Sequence, residues 1–238
     1  MNGNRLVPLA VFVVGALGTG SVGIGFAAGL NAASQNLTSL RTCTVTATPL
    51  LTPAVADAAV QQALPVLNFG SGTSIDVTSA SAANRRVYVR FDLSGCNPAI
   101  PSSANVRAAT LRLSVTALPA GCRILDIFRV LSSWTEIGVT WNNQPFGTTL
   151  NNPVNTSRTD SFSVGAAAGC ENQVTGYTTG AVVTADVAAY VTGTSNFGWM
   201  IRDDAENSLT ARTSSFSTKE LSALVQSPQL VVTYVTVP

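Results

Sequence analysis

Two strand-like segments of this 238-residue chain carry arginines at alternating positions: Arg86-Val87-Tyr88-Val89-Arg90-Phe91 and Thr110-Leu111-Arg112-Leu113. Side chains two apart on a strand share a face, so Arg86, Tyr88, Arg90 and Arg112 stand opposite the aliphatic positions. Arg202, at the end of Trp199-Met200-Ile201-Arg202, is a candidate to join them. Guanidinium groups beside a tyrosine ring suit carboxylated sugars, which arginine grips with paired hydrogen bonds while the ring stacks. The same arginines equally suit cross-strand pairing with Asp92 and Glu220 to cover a sheet face, the commoner use of arginine in strands.

Catalysis has little to work with. The chain contains no histidine, which removes the usual general base near neutral pH, the Ser-His-Asp and Cys-His triads and imidazole metal ligands. Carboxylates for glycoside cleavage remain, among them Asp92, Glu136 and Glu220, but no spacing selects a pair, and the chain reads as no enzyme. Asp203, Asp204, Glu206 and Asn207 offer oxygen ligands without the spacing of a calcium loop, so a solvated acidic loop is expected there, with no metal or cofactor. Thirteen Lys plus Arg against twelve Asp plus Glu leave a net charge of +1, which gives no field to draw in a nucleic-acid backbone.

Cys43, Cys96, Cys122 and Cys170 are an even, dispersed set with no CxxC pair, which suits disulfides better than zinc or redox chemistry. The favoured pairing is Cys96 with Cys122, each in a turn flanking the strand of Leu111, Leu113 and Val115, leaving Cys43 with Cys170. The N-terminus agrees with an oxidising compartment. Arg5 precedes a run without charge from Leu6 to Ala33, the order of a secretory signal or of a membrane or assembly helix. Its strongest apolar part, Leu6 to Leu17, has the length of a signal core, and Ala27-Ala28-Gly29 and Ala32-Ala33-Ser34 offer cleavage positions. Gly25 and Gly29 have the spacing that lets retained helices approach closely. Asn36-Leu37-Thr38 and Asn155-Thr156-Ser157 match glycosylation sequons.

The elements that must hold these residues are strands. Apolar residues make up 46% of the chain and charged ones 11%, and beyond residue 34 short Val-, Thr- and aromatic-rich runs alternate with Gly, Pro, Asn and Ser. Strands are predicted over residues 43–48, 74–78, 86–93, 106–116, 123–130, 139–141, 161–164, 181–185, 197–202, 212–218 and 229–237. Val187, Tyr190 and Val191 after Asp186 predict one short helix. Trp134, Trp141 and Trp199 are expected as core and loop anchors rather than exposed sugar platforms.

The order of motifs resembles a known family. Asp57-Ala58-Ala59-Val60, Asn68-Phe69-Gly70, Arg85 to Leu93, Trp134-Thr135-Glu136, Val139-Thr140-Trp141-Asn142-Asn143-Gln144-Pro145, Asn196-Phe197-Gly198-Trp199, Ser217-Thr218-Lys219-Glu220 and Pro228-Gln229-Leu230-Val231-Val232 are similar to the DNRLRE-type domain, which is grouped with certain carbohydrate-binding modules. The resemblance covers about residues 54 to 237. It implies an all-β, jelly-roll-like antiparallel β-sandwich of bacterial and archaeal surface proteins, some members of which bind anionic polysaccharides such as alginate. The resulting organisation is a signal peptide or membrane or assembly helix over residues 1–34, a linker or donor strand over 35–53 and the sandwich over 54–238. The expected function is a non-catalytic, exported surface or extracellular-matrix protein, adhesive and in contact with polysaccharide. The alternative is a self-assembling subunit of a filament, virion or membrane complex, whose partners are copies of itself and whose only membrane contact is the N-terminal segment.

Overall fold

The computed structural model describes residues 39–47, 54–151, 157–221 and 226–236. Thirteen strands among these residues form two antiparallel sheets. The smaller sheet has the order β1 (Ser39–Thr46), β13 (Gln229–Thr236), β5 (Asn105–Arg112), β10 (Ala181–Val182). The larger one runs β8 (Arg158–Val164), β7 (Arg123–Arg129), β11 (Trp199–Asp203), β4 (Arg85–Phe91), β3 (Ser74–Ser79), β12 (Arg212–Ser217), β6 (Ser114–Ala117), β9 (Gly176–Tyr177), with β2 (Val55–Gln61) paired along β4. The single α-helix among the described residues, α1 (Thr184–Val191), lies where the Val187, Tyr190, Val191 period placed it.

The core between the sheets follows from strand alternation. Val45, Leu230, Val232, Tyr234, Ala109 and Leu111 from the smaller sheet meet Val87, Val89, Phe91, Leu125, Ile127, Trp199 and Ile201 from the larger one. The all-β sandwich expected from the sequence is thus present. The strand predicted over residues 106–116 is two: β5 and β6 belong to different sheets, and the chain crosses between them at Leu113. That crossing lets Leu111 and Leu113 both be fully buried. Thr178 supports the corner, its N–H donating to the Leu113 carbonyl at 2.9 Å while its hydroxyl accepts from the Leu113 N–H at 3.2 Å.

The larger sheet is buried on its outer face as well. Ala58, Val60, Tyr88, Phe128, Val130 and Met200 point away from the main core and are covered by Trp134, Val139, Trp141 and Phe146. Residues 131–150 therefore form a cover layer of turns, and 139–141 is no strand: the Gly138 and Val139 N–H groups both bond back to the Thr135 carbonyl. This cover overturns the expectation of an exposed arginine face on β4. All three tryptophans are buried, as anchors of the core and cover.

The disulfides are Cys43–Cys96 and Cys122–Cys170, with Cα separations of 5.7 and 5.5 Å. The pairing expected from the sequence, Cys96 with Cys122 and Cys43 with Cys170, is therefore corrected. It assumed that Cys96 and Cys122 flank one strand, but the sheet crossing at Leu113 separates them. Cys122 instead immediately precedes β7, whose neighbour β8 ends at Val164 opposite Arg123, so the turn carrying Cys170 comes back beside it. Cys43 sits on β1, and the loop after β4 packs against that strand, with Val45 and Ala54 beside Gly95. β1 itself pairs with β13 of its own chain over eight residue pairs.

The expectations for residues 1–34, for the Asn36 and Asn155 sequons and for much of 35–53 lie outside the described residues. Among the described residues no helix is long and apolar enough to cross a membrane.

Candidate functional site

The five residues expected to form one cationic strip are dispersed. Arg86 and Tyr88, on the outer face of β4, lie beneath the cover layer, 1% and 0% exposed. Arg86 Nε donates to Glu206 Oε1 at 2.7 Å, its two NH groups donate to the carbonyls of Gly147 and Thr149, and its guanidinium lies 4.8 Å from the centre of the Trp141 ring. The Tyr88 hydroxyl donates to Gln144 Oε1 at 3.1 Å, and burial pushes its pKa well above the ordinary phenol value. Arg202 is buried too, 3.2 Å from Asp126 Oδ2 and 5.2 Å from the centre of the Phe128 ring. Arg86 and Tyr88 join the cover layer to the sheet, and Arg202 ties β11 to its neighbour β7. Their carboxylate partners are Glu206 and Asp126, not the Asp92 and Glu220 expected for cross-strand pairing.

The acidic loop is corrected at the same time. Asp203 and Glu206 are buried, Asp203 and Asp204 both pair with Arg123, and Glu206 receives Arg86, so this is an internal ion-pair network. Burial raises the Asp204 carboxyl above its ordinary pKa, against the pull of the Arg123 charge.

Arg90 and Arg112 keep partly exposed side chains but lie on different sheets. Arg112, on β5, is held by its Nε–H to the Thr178 carbonyl at 3.2 Å, and its guanidinium lies 5.1 Å from the centre of the Tyr177 ring. Arg90 occupies the end of β4 where the cover stops. Its guanidinium lies 5.6 Å from the centre of the Trp134 ring, a cation–π arrangement, and among the described residues it has no carboxylate partner. Trp134 is fixed beneath it by a 2.8 Å hydrogen bond from Nε1 to the Phe197 carbonyl.

The wall beside Arg90 is fixed by local sequence. Asn196 Nδ2 donates to the Phe91 carbonyl at 2.7 Å, and Asn196 Oδ1 accepts from the Gly198 N–H at 3.1 Å. Gly198 has φ +72°, and a Cβ there would stand 2.1 Å from the Val89 carbonyl oxygen, so only glycine fits the turn. Arg90, Asn196, Asp92, Ala54, Ala56 and Phe91 line a groove of about 250 Å³. The groove thus sets a ring-backed guanidinium beside the Asn196 amide and the Asp92 carboxylate.

Residues 49–164 match the model of carbohydrate-binding module family 96. The chain thus carries a carbohydrate-binding-module-like domain, and the matched span contains Arg90 and Trp134. No curated protein matches the chain.

A second constellation gathers side chains from three of the motifs that carry the family resemblance. Glu136 Oε1 accepts from the backbone N–H of Asp57 at 2.9 Å, Glu136 Oε2 lies 3.2 Å from Lys219 Nζ, and Lys219 Nζ also pairs with Glu220. The Lys219 N–H donates to Asp57 Oδ2 at 3.0 Å. The group lies at the edge of β2 away from β4, which Phe69 bridges at Ala59 and the cover layer meets at Asp57. Asn68 Nδ2 donates to the carbonyls of Glu136 and Val139, and Gly70 packs so closely on the Glu136 backbone that a Cβ would stand 2.1 Å from its oxygen.

Burial dominates the electrostatics of this group. It pushes Asp57 up to about 7, against the Lys219 N–H, and the charges of Glu220 and Glu136 add to the rise. Glu136 is raised by the same cause. Burial opposes the Lys219 ammonium, but its hydrogen bonds and charge pairing with Glu220 and Glu136 outweigh that and hold its pKa above the ordinary lysine value. Sequence reasoning considered Glu136 and Glu220 as members of an unassigned carboxylate set, and Glu220 also as a partner for the strand arginines, but missed Asp57 and Lys219. The available signal was that Asp57, Glu136 and Lys219-Glu220 each sit inside a resemblance motif.

Proposed function

We propose that residues 54–238 form a non-catalytic, exported β-sandwich of the DNRLRE type that contacts acidic polysaccharide at the cell surface or in the extracellular matrix, with Arg90 as the principal contact. The carrying observation is the Arg90 guanidinium over the Trp134 ring, both inside the span that matches a carbohydrate-binding family, without a carboxylate partner among the described residues and at a groove that Asn196 completes from outside that span. Arginine paired bidentately with a uronate carboxylate supplies charge-assisted hydrogen bonds, and the ring behind it orients the planar fork. A groove of this size holds part of a chain rather than enclosing a small molecule, as recognition along a polymer requires. Two disulfides among the described residues support an oxidising, extracellular setting.

Affinity electrophoresis through gels containing alginate or pectate tests this reading. The purified protein is retarded, Arg90→Ala runs as in a blank gel, and Arg112→Ala is retarded as the parent is. Retardation lost with Arg112→Ala but kept with Arg90→Ala moves the contact to the other sheet and overturns the assignment. Absence of retardation of the parent on every acidic polysaccharide overturns the function.

A further inference from the structure

We propose that Asp57, Glu136 and Glu220 bind one hard divalent cation, calcium in preference to magnesium, which ties the edge of β2 away from β4 to the cover layer and to the segment after β12. Each residue offers a carboxylate oxygen, and these oxygens lie within 4.8 Å of one another. Calcium binds oxygen at about 2.3–2.6 Å, so oxygens on opposite sides of one ion stand roughly 4.6–5.2 Å apart, and a single ion reaches all three.

The independent observation is a pair of orphaned oxygens. Asp57 is 1% exposed, and its Oδ1 is buried with no hydrogen-bond partner; the same holds for Oε2 of Glu220. The remaining carboxylate oxygens of the group are all engaged, by the N–H groups of Asp57 and Lys219 or by the Lys219 ammonium. Buried acceptors are rarely left without a partner, because each then loses its hydration for nothing. Here two of them belong to residues of the one cluster.

Charge gives the same answer. Three carboxyl groups face one ammonium, so their full ionisation leaves two excess negative charges, which a divalent cation neutralises. The donor set is oxygen only: the chain has no histidine, and all four cysteines are in disulfides. Oxygen ligands select hard cations over zinc, copper or nickel. Magnesium keeps several of its waters, whereas calcium accepts an irregular shell of protein oxygens, which favours calcium where Asp57 is closed to solvent. The cation ligands share no residue with the Arg90 groove, so the proposal holds or fails independently of the carbohydrate reading.

The test is calorimetric titration of the purified protein with calcium chloride and with magnesium chloride after treatment with chelator, paired with thermal melts. One calcium per chain is expected, with a rise in melting temperature and magnesium weaker by about tenfold or more. Asp57→Asn and Glu220→Gln each weaken calcium by about tenfold or more, since each removes one charged ligand, while Asp204→Asn leaves it unchanged. If Asp57→Asn does not fold, Glu220→Gln decides alone. Absence of calcium binding at millimolar concentration, or binding that Glu220→Gln leaves intact, overturns the proposal.

Discussion

The backbone N–H of Asp57 donates to Oε1 of Glu136 at 2.9 Å, joining residues 79 apart in sequence. This bond fastens the cover layer to the edge of β2 away from β4, satisfying a strand donor two residues from the Ala59–Phe69 bridge and helping to close that edge against pairing with other chains. Replacing Glu136 by Ala leaves the Asp57 donor unpaired and takes a carboxylate from Lys219. We expect a loss of about 2 kcal/mol and a fall in melting temperature of roughly 4–8 °C, with Glu136→Gln falling less because its amide oxygen still accepts. Thermal melts monitored by circular dichroism check both variants.

The Asp57 carboxyl makes stability pH-dependent in the chelated protein. Its folded-state pKa is about 7 against 3.8 for an unperturbed group, so between these values the folded chain holds a proton that the unfolded chain has released. Stability contributed by this group is therefore fully present below about pH 4, is lost as pH rises to about 7, and is flat above. Glu136, Glu220 and Lys219 all face Asp57, and the two glutamates oppose its ionisation. The loss is on the order of 4 kcal/mol at most, from about three pKa units. Urea melts in chelator at pH 5 and pH 8 should show a larger drop for the parent than for Asp57→Asn; equal drops would remove Asp57 as the cause.

The disulfides close loops with sequence separations of 53 and 48 residues. Loop-closure entropy assigns each about 4 kcal/mol, before any loss to strain. Cys43–Cys96 fastens β1, an edge strand, so a Cys43→Ser, Cys96→Ser double variant should expose residues 39–47 to protease before the sandwich unfolds. Non-reducing peptide maps should contain only the Cys43–Cys96 and Cys122–Cys170 peptides.

Arg86 separates structural arginines from binding ones. Its ion pair with Glu206 is sealed, both side chains 1% exposed, and removing one partner of such a pair typically costs about 3–5 kcal/mol. Arg86→Ala should lower stability by that amount in urea unfolding, and the fraction that remains folded should bind polysaccharide as the parent does.

Strand periodicity in the sequence was enough to show that Arg86, Tyr88 and Arg90 share one face of β4. It did not show that this face is roofed, because the roof is a set of turns around Trp134, Trp141 and Phe146 without a period of its own. For the same reason the three residues appear equivalent in sequence, although only Arg90 passes beyond the cover. The Leu111-Arg112-Leu113 alternation reads as one continuous strand; the sheet crossing at Leu113 rests on tertiary contacts with Thr178, and missing it misplaced both disulfides. β2 escaped prediction because Val55-Ala56-Asp57-Ala58-Ala59-Val60 is rich in alanine, which has low strand preference and forms a strand here through burial on both faces. The Asp57, Glu136 and Glu220 group joins segments up to 163 residues apart, and no local spacing marks it.

Calorimetric titration with a uronic-acid oligosaccharide, and with a neutral oligosaccharide of the same length at matched ionic strength, tests the polysaccharide contact most directly. The account gives binding of the acidic ligand, none of the neutral one, and a loss on Arg90→Ala of about 1.5–3 kcal/mol, roughly 10- to 100-fold in Kd. Unchanged affinity in Arg90→Ala, or equal affinity for the neutral chain, would contradict it.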